Sequence, residues 1–200
     1  MTNDKLMETW ARERTRFIFD PIANSIGKLG ISPNTITVMS LLLNLVAAVL
    51  IAKSYIFWGG MLMAFVAMPL DVLDGTLARA LNQETKFGAF LDSVLDRFSE
   101  AAICLGLIAL FVQSQDTWAI FGCSLAMFGS VMVSYTRARA EGLGIECRVG
   151  ILTRLVRVVL MAIGLICNVV VFAIWTLAIL SLFTSIQRIA HVYQATRTQE

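Results

Sequence analysis

Charge is what this chain has least of. Asp, Glu, Lys and Arg make up 15% of its 200 residues, against roughly a quarter in soluble domains. Proline occurs only three times and glycine thirteen times, which excludes a collagen-like or proline-rich disordered chain. The four cysteines show neither metal-ligand spacing nor a clustered disulfide framework. Cys104, Cys123 and Cys167 fall in apolar runs and read as small hydrophobes, whereas Cys147 sits in a polar loop, where a reactive role stays open. The single histidine, His191, reads as a surface or interface residue. Asp4, Glu8 and Glu13 interrupt the basic N-terminus, so a cleaved signal peptide is not expected there. No internal repeat, low-complexity tract or second domain is visible, so residues 1–200 read as one unit. What remains is 58% hydrophobic, with a mean hydropathy of +0.75. This is the composition of an integral membrane protein.

A bilayer core about 30 Å thick needs roughly 20 helical residues. Stretches of that length lie near 34–53, 57–81, 87–112, 117–141, 151–170 and 173–194, with a short turn near Asn168 separating the last two. The expected fold is therefore all-α, with six transmembrane helices. Before them, residues 1–30 mix Trp10, Phe17, Ile18 and Phe19 with Arg12, Arg14 and Arg16, the pattern of an amphipathic helix lying in the membrane interface. With alternating spans, Lys53 is the one basic residue that does not fall on the same side as the rest. The positive-inside rule then places both termini in the cytoplasm of a cell-membrane protein. No nucleic-acid partner is expected.

Four carboxylates interrupt this apolar chain. The sequence reads Asp71-x2-Asp74-Gly75-x2-Ala78-Arg79-x8-Gly88-x3-Asp92-x3-Asp96. Spacings of three and four put each aspartate pair on one helix face. Two such faces repel unless cations lie between them, and carboxylate oxygens suit hard ions such as Mg²⁺ and Mn²⁺. The plainer alternative is loop acids paired with Arg79, Lys86 and Arg97. That alternative leaves the helical recurrence, and the neighbouring Gly75 and Gly88, without a reason.

At every fixed position this stretch resembles the signature of the CDP-alcohol phosphatidyltransferase family. The resemblance implies a homodimeric six-helix membrane enzyme, two divalent cations and a CDP-diacylglycerol-type lipid donor. It implies that Asp71, Asp74, Asp92 and Asp96 hold the metals, and that Asp96 is the general base for the acceptor hydroxyl. Gly75, Ala78, Arg79 and Gly88 would contact the donor's nucleotide and pyrophosphate, with CMP as the leaving group.

A narrower resemblance concerns the acceptor. Gly88-Ala89-Phe90-Leu91-Asp92-Ser93, Ser134-Tyr135 with Ala138-Arg139-Ala140-Glu141, Leu29-Gly30-Ile31-Ser32-Pro33 and Gln187-Arg188 are similar to phosphatidylinositol-phosphate synthases. That resemblance implies an inositol-phosphate acceptor held by Arg137, Arg157 and Arg188. Two departures stand out: lysine is more usual at Arg137, and Leu155-Val156 replaces a common Pro-Glu pair. Glycerol 3-phosphate is the rival phosphorylated acceptor, since it needs a similar cationic pocket. A small cation transporter with buried acids is the rival of another class. Transporters usually show repeats and midplane sites, and here the acids gather at the expected cytoplasmic helix ends.

Overall fold

The computed structural model describes residues 21, 25–27 and 30–197. Seven α-helices are found among them: α1 (Pro33–Ala52), α2 (Ile56–Leu62), α3 (Met68–Ala80), α4 (Lys86–Gln113), α5 (Thr117–Glu141), α6 (Arg154–Ile166) and α7 (Val170–Arg197). The interfacial helix expected within residues 1–30 lies almost wholly outside the described residues.

Side chains that cap helices start four of these elements. Ser32, with Pro33 behind it, accepts from the Thr35 amide at 3.2 Å, and Thr85 accepts from the Gly88 amide at 2.9 Å. Asp116 and Thr153 cap α5 and α6 in the same way. Stops are also local. Ser54, Asn82, Gln115 and Asn168 take positive φ just past α1, α3, α4 and α6. In each case the next amide reaches back to the third-last helical carbonyl, as Gln83 does to Ala78 at 2.8 Å. The turn expected near Asn168 is one of these.

α2 and α3 are joined by a π-helical turn, Met63–Ala67, so that Ile56–Ala80 is one continuous helical run. Pro69, just beyond it, has no amide hydrogen and its ring crowds the carbonyl of Phe65 in an ordinary α-turn. The wider turn, closed by the Met68 amide on the Met63 carbonyl, relieves that crowding. One inserted residue rotates the helix beyond it by about 100°, and so sets the face on which Asp71 and Asp74 project.

The expectation of six transmembrane helices is corrected here. Among the described residues, four helical runs are long and apolar enough to cross a membrane: Pro33–Ala52, Ile56–Ala80, Thr117–Glu141 and Val170–Arg197. α4 has the length but carries Asp92, Asp96, Arg97 and Glu100 through its first half. α6 has 13 residues, a rise of about 20 Å, short of a bilayer core of about 30 Å. The sequence reading merged α6 with flanking apolar loop residues on both sides.

Small residues bring the helices together. A Cβ at Gly106 would stand 2.5 Å from the Ala48 carbonyl oxygen, so α4 and α1 meet backbone to backbone. Gly129 does the same for α5, its missing Cβ falling 2.8 Å from Cβ of Ser181 on α7. Trp118 and Trp175 stack between α5 and α7 with centroids 4.2 Å apart. The main core holds Ala47, Ile51, Leu107, Cys123, Leu165 and Ile174. Cys147 is fully buried rather than lying open in its loop, and Cys167 is exposed rather than buried.

Candidate active site

The buried polar side chains are concentrated toward one end of the bundle. There the start of α1 meets the first half of α3 and the starts of α4 and α6. Thr37 on α1 donates to Asp74 Oδ2 at 2.7 Å, and one turn later Ser40 donates to Asp71 Oδ1. Two hydroxyls three apart on one helix thus face two carboxylates three apart on the next. Ser40 also lies 3.1 Å from the Ala67 carbonyl at the end of the π turn, which ties the bulge to the site. Neither hydroxyl was a candidate from the sequence; the Thr37-x2-Ser40 spacing, matching that of Asp71 and Asp74, was the signal present.

From α4, Asp92 and Asp96 complete a group of four carboxylates close enough to repel one another. Burial, reinforced by Asp92 and Asp71 and opposed by Arg154 and Arg97, pushes the Asp96 carboxyl up to about 7. Burial likewise raises Asp92. Asp92 Oδ1 is buried with no hydrogen-bond partner. A buried, unpartnered carboxylate oxygen with three further carboxylates in electrostatic range has the donor chemistry for a hard divalent cation, although among the described residues no three acids stand close enough together to enclose an ion. Arg154, the first residue of α6, reaches into this group and pairs with both Asp71 and Asp96. It stood among many arginines in the sequence, and nothing there set it apart.

Two cavities share the carboxylate layer. One is open, lined mostly by polar residues, and takes Asp74 and Asp92 as part of its wall. Gly75, Ala78, Arg79 and Gly88 line it as well. A Cβ at Gly75 would meet nothing nearer than the tip of Arg79 at 3.6 Å, so this glycine faces the space itself. Gly88 is different, because its missing Cβ would lie 3.2 Å from Asn34 and 3.0 Å from Thr85. It lets α4 approach α1. Arg79 is exposed and bonds Thr76 at 3.4 Å rather than any aspartate among the described residues.

The other cavity has largely apolar walls and takes Asp71, Asp96, Arg154, Glu100 and Arg157 into its lining. Arg157 is buried and meets Glu100 through two bonds, of 2.9 and 3.2 Å, while Ser130 donates to the same carboxylate. Arg188 is buried and donates to the carbonyls of Val149, at 3.0 Å, and Val133. Arg137 is exposed and pairs with Glu141 at 2.8 Å. Of the three arginines named from the sequence, Arg188 lies within electrostatic range of both Arg137 and Arg157. Of the three, Arg157 reaches the cavity wall.

The family model for CDP-alcohol phosphatidyltransferase matches residues 30–187. The chain is 37% identical over 198 residues to archaetidylinositol phosphate synthase of Methanothermobacter thermautotrophicus, covering 96% of each protein. Its fold resembles Mycobacterium tuberculosis phosphatidylinositol phosphate synthase crystallised with CDP-DAG bound, at TM-score 0.82, 26% identity, and coverage of 88% of this chain and 94% of that one. A second structure of that protein, in complex with manganese and citrate, superposes at TM-score 0.80 with 26% identity, covering 86% of this chain and 88% of that one. The chain belongs to the CDP-alcohol phosphatidyltransferase family and is an integral membrane enzyme of that class.

Proposed function

We propose that this protein transfers the phosphatidyl group of a CDP-diacylglycerol-type donor, diacyl or ether-linked, to a hydroxyl of inositol phosphate and releases CMP. The observation that carries this reading is the carboxylate layer standing between an open polar cavity and one walled by an arginine. The donor's nucleotide lies in the open cavity against Gly75 and Ala78, with Arg79 on its pyrophosphate; guanidinium forks match phosphate oxygens. Gly88 keeps the two helices close enough for both to reach the same pyrophosphate. The acceptor enters the second cavity with its phosphate toward Arg157, and Arg137 and Arg188 add positive potential behind it. Relatives named for inositol phosphate lipids support this acceptor.

Asp71, Asp74, Asp92 and Asp96 would hold two divalent cations, Mg²⁺ or Mn²⁺, which when bound neutralise the pyrophosphate and stabilise charge gathering on it. Asp96 lines the acceptor cavity and takes the proton of the attacking hydroxyl. The oxygen of that hydroxyl then bonds to the lipid-side phosphorus as the bond to CMP breaks. The enzyme works as a homodimer with both termini and the site in the cytoplasm, where the nucleotide is. Purified protein given Mg²⁺, CDP-diacylglycerol and either inositol phosphate or glycerol 3-phosphate tests the reading by CMP release. Release with inositol phosphate is expected. Release with glycerol 3-phosphate alone overturns the acceptor and keeps the transfer.

A further inference from the structure

We infer that Arg154 is a resident counter-cation of the carboxylate cluster, holding α3, α4 and α6 together in the metal-free enzyme and competing with the incoming divalent cation for Asp71 and Asp96. The inference rests on the assignment of the metals to this cluster.

The geometry is specific. Arg154 lies 83 residues from Asp71 in the chain, yet its guanidinium pairs with Asp71 of α3 and Asp96 of α4 at once. Asp92 is also within its electrostatic reach. No other described cation touches two of the four aspartates; Arg97 meets Asp96 alone, at 3.4 Å. The position is costly by local rules. Arg154 opens α6, directly after its Thr153 cap, and the positive end of a helix dipole disfavours a cation there. Arg154 Nε is also buried with no hydrogen-bond partner, a further cost. Both penalties are offset where the carboxylates are, so the residue serves the cluster rather than its own helix. The oxygens it occupies, Asp71 Oδ2 and Asp96 Oδ1, belong to the donor set of the metal. Both oxygens meet the same nitrogen, Arg154 Nη2, and an oxygen held by that charge cannot also bind a cation at full strength.

Competition has a sign that a merely structural arginine lacks. In detergent-solubilised full-length protein, Arg154→Gln should tighten Mn²⁺ binding, read from free Mn²⁺ by electron paramagnetic resonance, by about tenfold or more, each charge-assisted bond being worth roughly that factor. The same variant should melt lower than the parent in EDTA and regain the parent's melting temperature in saturating Mn²⁺. An unchanged or weaker Mn²⁺ affinity overturns the inference. If R154Q does not fold, R154K replaces it; its ammonium keeps the charge but reaches less far than the guanidinium, so a smaller tightening is expected, and none overturns the idea. Asp92→Asn separates the two claims. Normal Mn²⁺ binding by D92N refutes the metal assignment itself, whereas lost binding in D92N with no gain in R154Q refutes only the role of Arg154.

Discussion

The two ends of the arginine-bearing cavity handle buried charge differently. Around Glu100, charges are matched one to one: Arg157 grips the carboxylate by two bonds and Ser130 adds a third. Around Asp96 they are not, because four carboxylates share Arg154 and a longer contact from Arg97. A matched pair carries no net charge and ties α4 to α6. An excess of one sign is unstable on its own and marks where a ligand of the other sign belongs. The lesson is that the number of buried charges says less about function than their balance.

The sharpest way to break this contrast is Asp92→Asn, which removes excess charge without touching an ion pair. CMP release should fall on the order of 10³-fold, the scale of losing one preorganised charge-stabilising group, while circular dichroism and melting stay near those of the parent. Substantial turnover would mean that the excess charge is not the catalytic feature.

Arg157→Ala attacks the matched side. The acceptor KM should rise about 10-fold to 100-fold through loss of charge-assisted bonds, with the donor KM much less affected. A melting temperature that drops while both KM values stay equal to the parent's would make Arg157 purely structural. Gly75→Val extends the test to the open cavity, where the side chain enters free space. Its donor KM should rise about tenfold, typical of a pocket misfit by a methylene or two, and its stability should hold.

The smallest effect on activity is expected far from both sites. Gly106→Ala pushes a methyl toward the Ala48 carbonyl and should cost about 1–3 kcal/mol of stability, as overpacking does, with both KM values unchanged in the folded fraction. A selective loss of donor affinity would instead couple the α1–α4 contact to the nucleotide cavity.

Much of the carboxylate cluster was legible because acids that share a helix face recur at helical spacing. Asp71, Asp74, Asp92 and Asp96 could be placed on two faces before any coordinates, and Gly75 beside them. Arg154 could not be separated from Arg139 or Arg148, because topology alone enriches that side in arginine. The structure separates them: Arg148 pairs with nearby Glu146 at 2.7 Å, and Arg139 is exposed. Arg137, Arg157 and Arg188 share a proposed acceptor role, yet Arg157 alone among them lines the cavity while Arg188 braces the backbone. The count of spans was misread for a different reason. Length and apolar character do not reveal the turn that cuts α6 to 13 residues, and they leave the charges on α4 unweighed as a barrier.

By itself, then, the sequence determined a helical membrane chain, its capped helix starts, and which two segments carry the carboxylates. Those features depend on neighbours within a few residues, where spacing and residue type are sufficient. Only the tertiary structure decided which hydroxyls hold the carboxylates, which arginine bridges them, and how the cavities divide the work. Those outcomes depend on packing between helices remote in sequence, where the π turn before Pro69 and the close approach at Gly106 help to set which faces meet.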